Sequence, residues 1–290
     1  MRGGQHQVLL LMRELREAGH DSLLLARAGA PLWHAAGSEK FEVQQATWKN
    51  VWRHSDSVDL VHAHDANAHT AAAIACRRPF IVSRRVAFSV KRSVFSKWKY
   101  GRAARFIAVS RFVARNLAEA GVASSRVDVI YDAVEPVSSP PRWTPEAPAV
   151  ALASTDPQKG RELIESAAQL TRGKVLFSDN LQEDLQRASM FVYITKSEGL
   201  GSAALLALSF GVPVIASRIG GLPEIIEDGV SGILVDNEPK AIAAAMDRLF
   251  LDTRFAKQLI EQGRLRIQSQ FTLERLCKET IECYRRALGR

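Results

Sequence analysis

Short apolar runs alternate with segments of helical periodicity along the whole chain. The apolar runs have the length of buried strands, and most are followed by a segment whose apolar residues recur at helical spacing. Examples of these runs are residues 58–63, 79–83, 104–110, 149–153, 191–194 and 212–216. Strands that alternate with helices in this way predict an α/β fold with parallel sheets.

A proline-rich segment divides the chain into two parts. Residues 136–148 contain five prolines, a composition that is typical of a linker. The sequence therefore predicts an N-terminal domain over 1–135, a C-terminal domain over 149–271, and a final helix over 272–290 that packs back on the first domain. A length of 290 residues suits two domains of ordinary size.

Composition narrows the class of protein. With 47% hydrophobic and 24% charged residues, the chain has the balance of a globular protein. No apolar run reaches the length of a membrane-spanning helix, and no signal peptide is recognisable. The three cysteines, Cys76, Cys277 and Cys283, do not have metal-binding spacing. We therefore expect a cytoplasmic protein with reduced cysteines and no metal site.

Positive charge is concentrated in the first half of the chain. No acidic residue lies between Asp65 and Glu119, whereas twelve lysines and arginines fall within 77–115, interleaved with aromatic residues. This pattern favours an anionic partner, either the inner leaflet of a membrane or a phosphorylated acceptor. Nucleic acid is the least favoured partner, because no nucleic-acid-binding motif is present. A solvated cationic face is the simplest alternative.

Residues 196–217 form the most informative stretch. An apolar strand leads into a turn with glycines at 199 and 201, and a helix of small residues begins at Ser202. A glycine-rich loop before a helix N-terminus presents free N–H groups and favours an anion such as phosphate. Glu198 stands at the entrance of this loop, where a carboxylate suits sugar hydroxyls better than phosphate. The alternative is an ordinary strand–loop–helix unit in which Glu198 is solvated.

This stretch resembles the donor-site signature of the GT4-type retaining glycosyltransferases, the glycosyl transferases group 1, which have the GT-B fold. The matching segments are 197–199, Gly211, 213–217 and 220–224. The resemblance implies two Rossmann-like domains with parallel sheets that face each other across a cleft. It also implies a nucleotide-diphosphate sugar as the donor, held by the C-terminal domain without a metal or other cofactor.

The same resemblance implies roles for individual residues. Glu198 would position the donor sugar, Lys159 would neutralise the diphosphate, and His64 and Arg85 would lie nearest the reacting centre. The residues expected to contact the nucleotide-sugar are Gly3, Gly4, Lys159, Gly199, Leu200, Gly201, Ser202, Leu206 and Glu224.

Four positions depart from the pattern of the family. Leu206, which suits a buried helix, replaces the second glutamate of the signature, Ser154 replaces an arginine, and Arg85 replaces a histidine. Beside Ser154, Ala153 also replaces a glycine of the family pattern. These departures leave three hypotheses open. The first is an active glycosyltransferase that uses a lipid-linked, polysaccharide or lipopolysaccharide-type acceptor. The second is a catalytically impaired GT-B protein that acts as a binding or scaffolding subunit, and the third is a sugar-nucleotide epimerase.

The beginning of the chain also departs from the family. Gly3 and Gly4 are expected to form a loop that feeds the first helix, and a strand precedes such a loop in an open parallel sheet. We expect that the true start lies upstream of Met1. The alternative is that the central first strand has been lost.

Overall fold

The chain forms two compact units. The computed structural model describes residues 1, 3–88, 93–138 and 140–290. The first unit contains Met1–Asp132 together with Leu273–Arg290, and the second contains Ala133–Thr272. The proline-rich segment 136–148 therefore lies within the second unit.

The first unit is built on a parallel sheet of four strands in the order β3-β4-β5-β6, and β1 and β2 pair in a separate parallel sheet. Its elements are α1 (Gly3–Glu17), β1 (Leu23–Ala26), α2 (Pro31–Ser38), β2 (Glu42–Gln45), α3 (Trp48–His54), β3 (Val61–Ala63), α4 (Ala66–Ala75), β4 (Phe80–Arg84), α5 (Val94–Arg102), β5 (Arg105–Ala108), α6 (Arg111–Glu119), β6 (Val127–Val129) and the last helix of the chain, α13 (Leu273–Ala287).

Local sequence explains why these elements begin where they do. Asp65 caps α4 by accepting hydrogen bonds from the backbone N–H groups of the next turn at 2.8 Å. Ser110 caps α6 in the same way through the N–H of Val113 at 3.1 Å. The first four residues of β4 are all buried, as expected for a parallel sheet that is covered on both faces. The final helix, α13, packs against α1, β4 and β5.

The second unit is built on a parallel sheet of five strands in the order β11-β10-β9-β7-β8. Its elements are β7 (Ala149–Leu152), α7 (Arg161–Ala168), β8 (Val175–Ser178), α8 (Leu181–Asp184), β9 (Met190–Tyr193), α9 (Ser202–Ser209), β10 (Val214–Ser217), α10 (Leu222–Ile225), β11 (Ile233–Val235), α11 (Pro239–Leu251) and α12 (Thr253–Gln270). All four residues of the central strand β9 are buried. The predicted α/β fold class, with two units on parallel sheets, is confirmed.

One local expectation is wrong. Gly3 and Gly4 do not form a loop before the first helix, because α1 already begins at Gly3. Both glycines therefore lie in the first helical turn, where backbone N–H groups have no partner within the helix. None of the helices in the described ranges is long and apolar enough to cross a membrane.

Candidate functional site

Lys159 and Glu198 follow two neighbouring strands of the second sheet. Lys159 lies in the loop after β7, and Glu198 lies in the loop after β9. β7 pairs with β9 on one side and with β8 on the other, so the strand order reverses between β7 and β9. Open parallel sheets bind ligands outside the carboxyl ends of their strands at such a reversal. The loops that carry these two residues are therefore in the place where a ligand is expected.

The two side chains form an ion pair. The ammonium Nζ of Lys159 lies 3.0 Å from the carboxylate Oε2 of Glu198, and the side chains are 28% and 16% exposed. The other carboxylate oxygen, Oε1, accepts a hydrogen bond from the backbone N–H of Gly199 at 3.1 Å. Lys159 thus points toward the loop that carries Glu198 and not into bulk solvent.

Tyr193, the last residue of β9, completes this cluster and was missed by the sequence analysis. Its hydroxyl donates to Oε2 of Glu198 and lies 3.4 Å from Nζ of Lys159. Burial, and then the charge of Glu198 and the hydrogen bond to it, raise the pKa of Tyr193 well above its ordinary value. The phenol therefore remains a donor. Its place at the end of a buried strand, five residues before Glu198, is the signal that points to it.

A close approach of two backbones fixes the position of Lys159. Gly160 has a positive φ of 59°, and a β-carbon there would come within 2.9 Å of the backbone oxygen of Ile194. Next to it, the carbonyl of Gln158 accepts a hydrogen bond from the N–H of Lys196 at 2.8 Å. Glycine is therefore required at 160 for both its φ and its size. The loops after β7 and β9 are held together by this contact.

Gly220 and Gly221 cover the backbone of Glu198. The N–H of Gly221 donates to the carbonyl of Glu198 at 3.2 Å. A β-carbon on Gly220 would lie 2.0 Å from the same carbonyl oxygen. The loop 220–221 therefore fits against Glu198 only because it has no side chains.

Helix α9 begins immediately after the loop that carries Glu198, and Gly201 precedes it with a φ of 116°. The first intrahelical bonds go from Ala204 and Leu205 to the carbonyl of Gly201. In the part of the chain that the structure describes, the N–H groups of Ser202 and Ala203 have no acceptor. They could donate to an anion, and the positive end of the helix dipole adds to that attraction.

The other residues that the sequence analysis singled out in the second unit differ in burial and in the groups that a ligand could contact. The Leu200 side chain is 2% exposed, so only its backbone could meet a ligand. Leu206 is half-buried on α9, a helix whose other residues are mostly buried. Glu224 is also half-buried and lies in the first turn of α10. Ser154 lies in the turn after β7, where its hydroxyl accepts a hydrogen bond from the N–H of Asp156 at 3.2 Å.

A second cluster lies at the carboxyl ends of the strands of the first unit. His64 follows β3, Arg85 follows β4, and Asp132 follows β6. Nε of Arg85 donates to Oδ1 of Asp132 at 3.0 Å, and the two side chains are only 12% and 8% exposed. Nη1 of Arg85 lies 3.1 Å from Nδ1 of His64. A β-carbon on Gly4 would touch Cδ of Arg85 at 3.5 Å, so the start of α1 lies beside this cluster.

The structure thus divides the predicted site residues into two groups. Lys159, Glu198 and the loop 199–202 come together in the second unit. His64, Arg85 and the two glycines of α1 come together in the first. Asp132 was missed as a site residue, although it follows a predicted strand and its carboxylate shares a sheet edge with Arg85.

Part of the positive charge of the basic segment 77–115 is paired or hydrogen-bonded within the first unit. Arg85 is paired with Asp132, and Arg105 is paired with Asp128 at 2.7 Å. Arg84 donates to the hydroxyl of Tyr100 at 3.0 Å. Two of the twelve basic residues, Lys91 and Arg92, lie outside the described residues. What remains exposed on α5 and beside it includes a group of large apolar side chains, Phe88, Val94, Phe95 and Trp98.

No metal site is evident in the described ranges, where no three His, Cys, Asp or Glu side chains are grouped to hold an ion.

Two models of glycosyltransferase families match the two halves of the chain. The family model for Glycosyltransferase Family 4 matches residues 1–137, and the model for Glycosyl transferases group 1 matches residues 155–266. The chain belongs to the GT4-type glycosyltransferases, and the resemblance stated from its sequence is confirmed.

Individual relatives agree with this family. An uncharacterized glycosyltransferase of Methanocaldococcus jannaschii is 32% identical over 123 residues, which cover 40% of this chain and 32% of the relative. The alpha-maltose-1-phosphate synthase of Mycolicibacterium smegmatis is 29% identical over 167 residues, which cover 52% and 43%. The chain thus matches less than half the length of these two relatives.

Solved structures agree in fold. The Anabaena protein HepE, crystallised with UDP and glucose, superposes with a TM-score of 0.83 at 15% sequence identity, covering 97% of this chain and 95% of HepE. The lipopolysaccharide outer core galactosyltransferase WaaB superposes with a TM-score of 0.71 at 15% identity, covering 98% and 95%. At this identity the likeness concerns the fold.

Proposed function

We propose that the protein is a retaining glycosyltransferase that transfers a sugar from a nucleoside diphosphate to an acceptor hydroxyl. The observation that carries this proposal is the Lys159–Glu198 pair, 3.0 Å apart, in the loops where the strand order of the second sheet reverses. The matched glycosyltransferase families support the reaction class. HepE was crystallised with UDP-glucose, which makes uridine diphosphate the first nucleotide to test.

The chemistry required on the donor side is the stabilisation of a leaving diphosphate. Negative charge builds on that group as the bond to the sugar breaks, and fixed donors lower the barrier by stabilising it. The ammonium of Lys159 and the free N–H groups of Ser202 and Ala203 supply such donors. The positive end of α9 acts in the same direction.

Glu198 would act on the sugar rather than on the phosphate. A carboxylate repels phosphate but accepts hydrogen bonds from sugar hydroxyls. When Lys159 turns toward the diphosphate, Oε2 of Glu198 loses one donor and is free to accept another from the sugar. The hydroxyl of Tyr193 keeps the carboxylate in place during this exchange.

Nucleotide binding tests the proposal directly. UDP, GDP and ADP are titrated against the protein by calorimetry and by thermal shift, since a ligand at 100 times its dissociation constant stabilises the folded state by about 2.7 kcal/mol. We expect one nucleotide to bind, and Lys159→Met to weaken it by roughly ten-fold or more. The matched control is Lys174→Met, which removes an exposed lysine of the same unit. Absence of binding by all three nucleotides would contradict the proposal and favour the non-catalytic subunit.

For the acceptor, we propose a lipid-linked molecule at the surface of an anionic membrane. The support is the set of exposed apolar residues on and beside α5, where Val94 is 87% and Phe95 53% exposed, together with exposed Lys97. The rings of Phe95 and Trp98 lie 5.5 Å apart on one face of the helix. Aromatic and basic side chains on one short helix suit the interface of an anionic bilayer.

Vesicle flotation tests this second proposal. We expect the protein to float with anionic vesicles more than with neutral ones, and Phe95→Ser/Trp98→Ser to abolish the difference. Leu251→Ser serves as the control, because Leu251 is 79% exposed on the second unit. Equal flotation with both kinds of vesicle, insensitive to salt, would reject the membrane surface.

A further inference from the structure

Three side chains of the first unit form a hydrogen-bonded chain from a carboxylate to an imidazole. Asp132 accepts from Nε of Arg85 at 3.0 Å, and Nη1 of Arg85 lies 3.1 Å from Nδ1 of His64. The residues follow three strands of one sheet and are 47 and 21 positions apart in sequence. Since Arg85 and Asp132 are almost fully buried, the guanidinium has a fixed orientation.

This geometry determines which nitrogen of His64 carries the proton. A guanidinium has only donors, so Nδ1 of His64 must offer its lone pair to Nη1 of Arg85. A neutral imidazole with a bare Nδ1 carries its hydrogen on Nε2. In the described ranges, no protein group accepts a hydrogen bond from this Nε2–H. His64 is only half-buried, so the group is available to a ligand.

The charges around His64 disfavour its protonation. On β3, which ends just before His64, the ring of His62 lies 3.9 Å from that of His64, centroid to centroid. After β4 comes the positive charge of Arg85, and after β6 comes Asp132, whose carboxylate is engaged by Arg85. From α13, Tyr284 reaches His62 and is neutral, because burial raises its pKa. Burial, then His62 and Arg85, lower the pKa of His64 well below its ordinary value.

We propose that Arg85 and Asp132 are positioning residues that hold His64 as the neutral Nε2–H tautomer, which donates a hydrogen bond to a sugar or phosphate oxygen. In this arrangement His64 does not remove a proton from the acceptor, because the lone pair of Nδ1 is occupied by Arg85. Arg85 itself acts on the ligand only through His64. The part of this inference that concerns the ligand rests on the proposed sugar transfer, whereas the tautomer does not.

Nitrogen-15 NMR of the histidine side chains tests the tautomer without any ligand. Long-range proton–nitrogen correlations distinguish a bare from a protonated ring nitrogen, and loss of one set of signals in His64→Gln assigns the residue. We expect His64 to show a bare Nδ1 and a protonated Nε2 from about pH 5 to pH 8, the range in which an ordinary histidine titrates. A His64 that titrates near about pH 6.5, or that carries its proton on Nδ1, overturns the proposal.

Variants of the two positioning residues test their role. We expect Arg85→Met/Asp132→Asn, which removes both charges together, to leave His64 as a mixture of its two neutral tautomers, because burial and His62 still keep its pKa low. The double variant removes the buried carboxylate together with the guanidinium that faces it. An unchanged Nε2–H signal in a folded double variant would show that Arg85 and Asp132 do not position His64.

Activity measurements with an identified substrate distinguish a hydrogen-bond donor from a general base at His64. If His64 only donates a hydrogen bond, His64→Gln retains an N–H donor, and His64→Met loses roughly two- to ten-fold more kcat/KM than His64→Gln. A general base would cost both variants about 10²- to 10⁴-fold and would produce a loss of activity at low pH in the wild type. Failure of the sugar-transfer proposal leaves these activity tests without a signal but does not change the NMR result.

Discussion

Lys159 and Glu198 neutralise each other across 3.0 Å in the second unit. A diphosphate that binds Lys159 must therefore compete with the carboxylate for the ammonium. We therefore expect Lys159 to strengthen diphosphate binding and Glu198 to weaken it, although both belong to one cluster.

The first prediction concerns Glu198→Gln. Removing the carboxylate frees Lys159, and partly exposed ion pairs are worth up to about 1 kcal/mol, so we expect UDP to bind roughly two- to five-fold more tightly. Turnover of the UDP-sugar should fall by about ten- to a hundred-fold, because a charged hydrogen bond to the sugar is lost. Calorimetry with UDP and a turnover assay measure the two effects. Glu183→Gln, on exposed helix α8, is the control. Weaker UDP binding in Glu198→Gln would argue against a competition between the diphosphate and Glu198 for Lys159.

The second prediction concerns Gly220→Ala. Gly220 has a φ of 63°, and a β-carbon would meet the carbonyl oxygen of Glu198 at 2.0 Å. We expect this variant to displace Glu198 and to weaken nucleotide binding. Gly229→Ala is a matched control, because Gly229 has a φ of 72° with nothing within 4 Å of the added carbon. The control should lose only the roughly 1–2 kcal/mol of left-handed backbone strain, measured by urea unfolding. Equal losses in both variants would show that the contact with Glu198 is unimportant.

The third prediction concerns Leu206→Glu. Leu206 is half-buried, so a glutamate there need not bury its charge fully. If the donor lies where the family places it, the new carboxylate can accept hydrogen bonds from the ribose, and we expect about ten-fold tighter nucleotide binding. Leu206→Gln controls for shape and should gain less. No gain with glutamate in a folded variant would mean that the ribose does not reach this face of α9.

The fourth prediction is a pH dependence of stability that arises from His69. Burial, followed by the charge of Lys99, lowers the pKa of His69 to about 4, while Nε2 of His69 donates to the backbone carbonyl of Lys99 at 3.2 Å. Because the folded-state pKa is lower than the unfolded value of about 6.5, the stabilisation is present above about pH 6.5 and is lost as the pH falls toward about 4.

Urea unfolding at several pH values measures this effect. His69→Gln should lose less stability than the wild type between about pH 7 and pH 5, by one to two kcal/mol at most, since one pKa unit corresponds to about 1.4 kcal/mol. His20→Gln, at an exposed position, should behave as the wild type does. His62, with a pKa lowered to about 3, acts in the same direction and remains in both variants. Parallel pH profiles for His69→Gln and the wild type would contradict the assignment to His69.

The sequence predicts the loops of the candidate site better than it predicts the contacts within them. Glycines and prolines mark the turns after β7 and β9 directly, because these residues have few conformational alternatives. Tyr193 could have been found from its place at the end of a buried strand, five residues before Glu198, but no local pattern indicates its contact with Lys159, 34 positions away. Likewise, no local pattern indicates the contact between Asp132 and Arg85, with 47 positions between them.

The basic segment shows how the folded unit changes a charge pattern that was counted along the chain. Counting charges along the chain made 77–115 look uniformly cationic, because no acid occurs within it. Asp128 and Asp132 come from beyond the segment and neutralise Arg105 and Arg85 in the folded unit. Net charge along a sequence therefore overstates the field at a surface when strand order brings distant carboxylates to the same edge.

Helix α13 belongs to the first unit although it comes last in the chain. During synthesis, the four-stranded sheet therefore lacks this covering helix until the whole second unit has been translated. The second unit is continuous and has all its strands before that moment. Nascent chains of this protein thus pass through a stage in which one half is already folded while the other still exposes part of its core to chaperones.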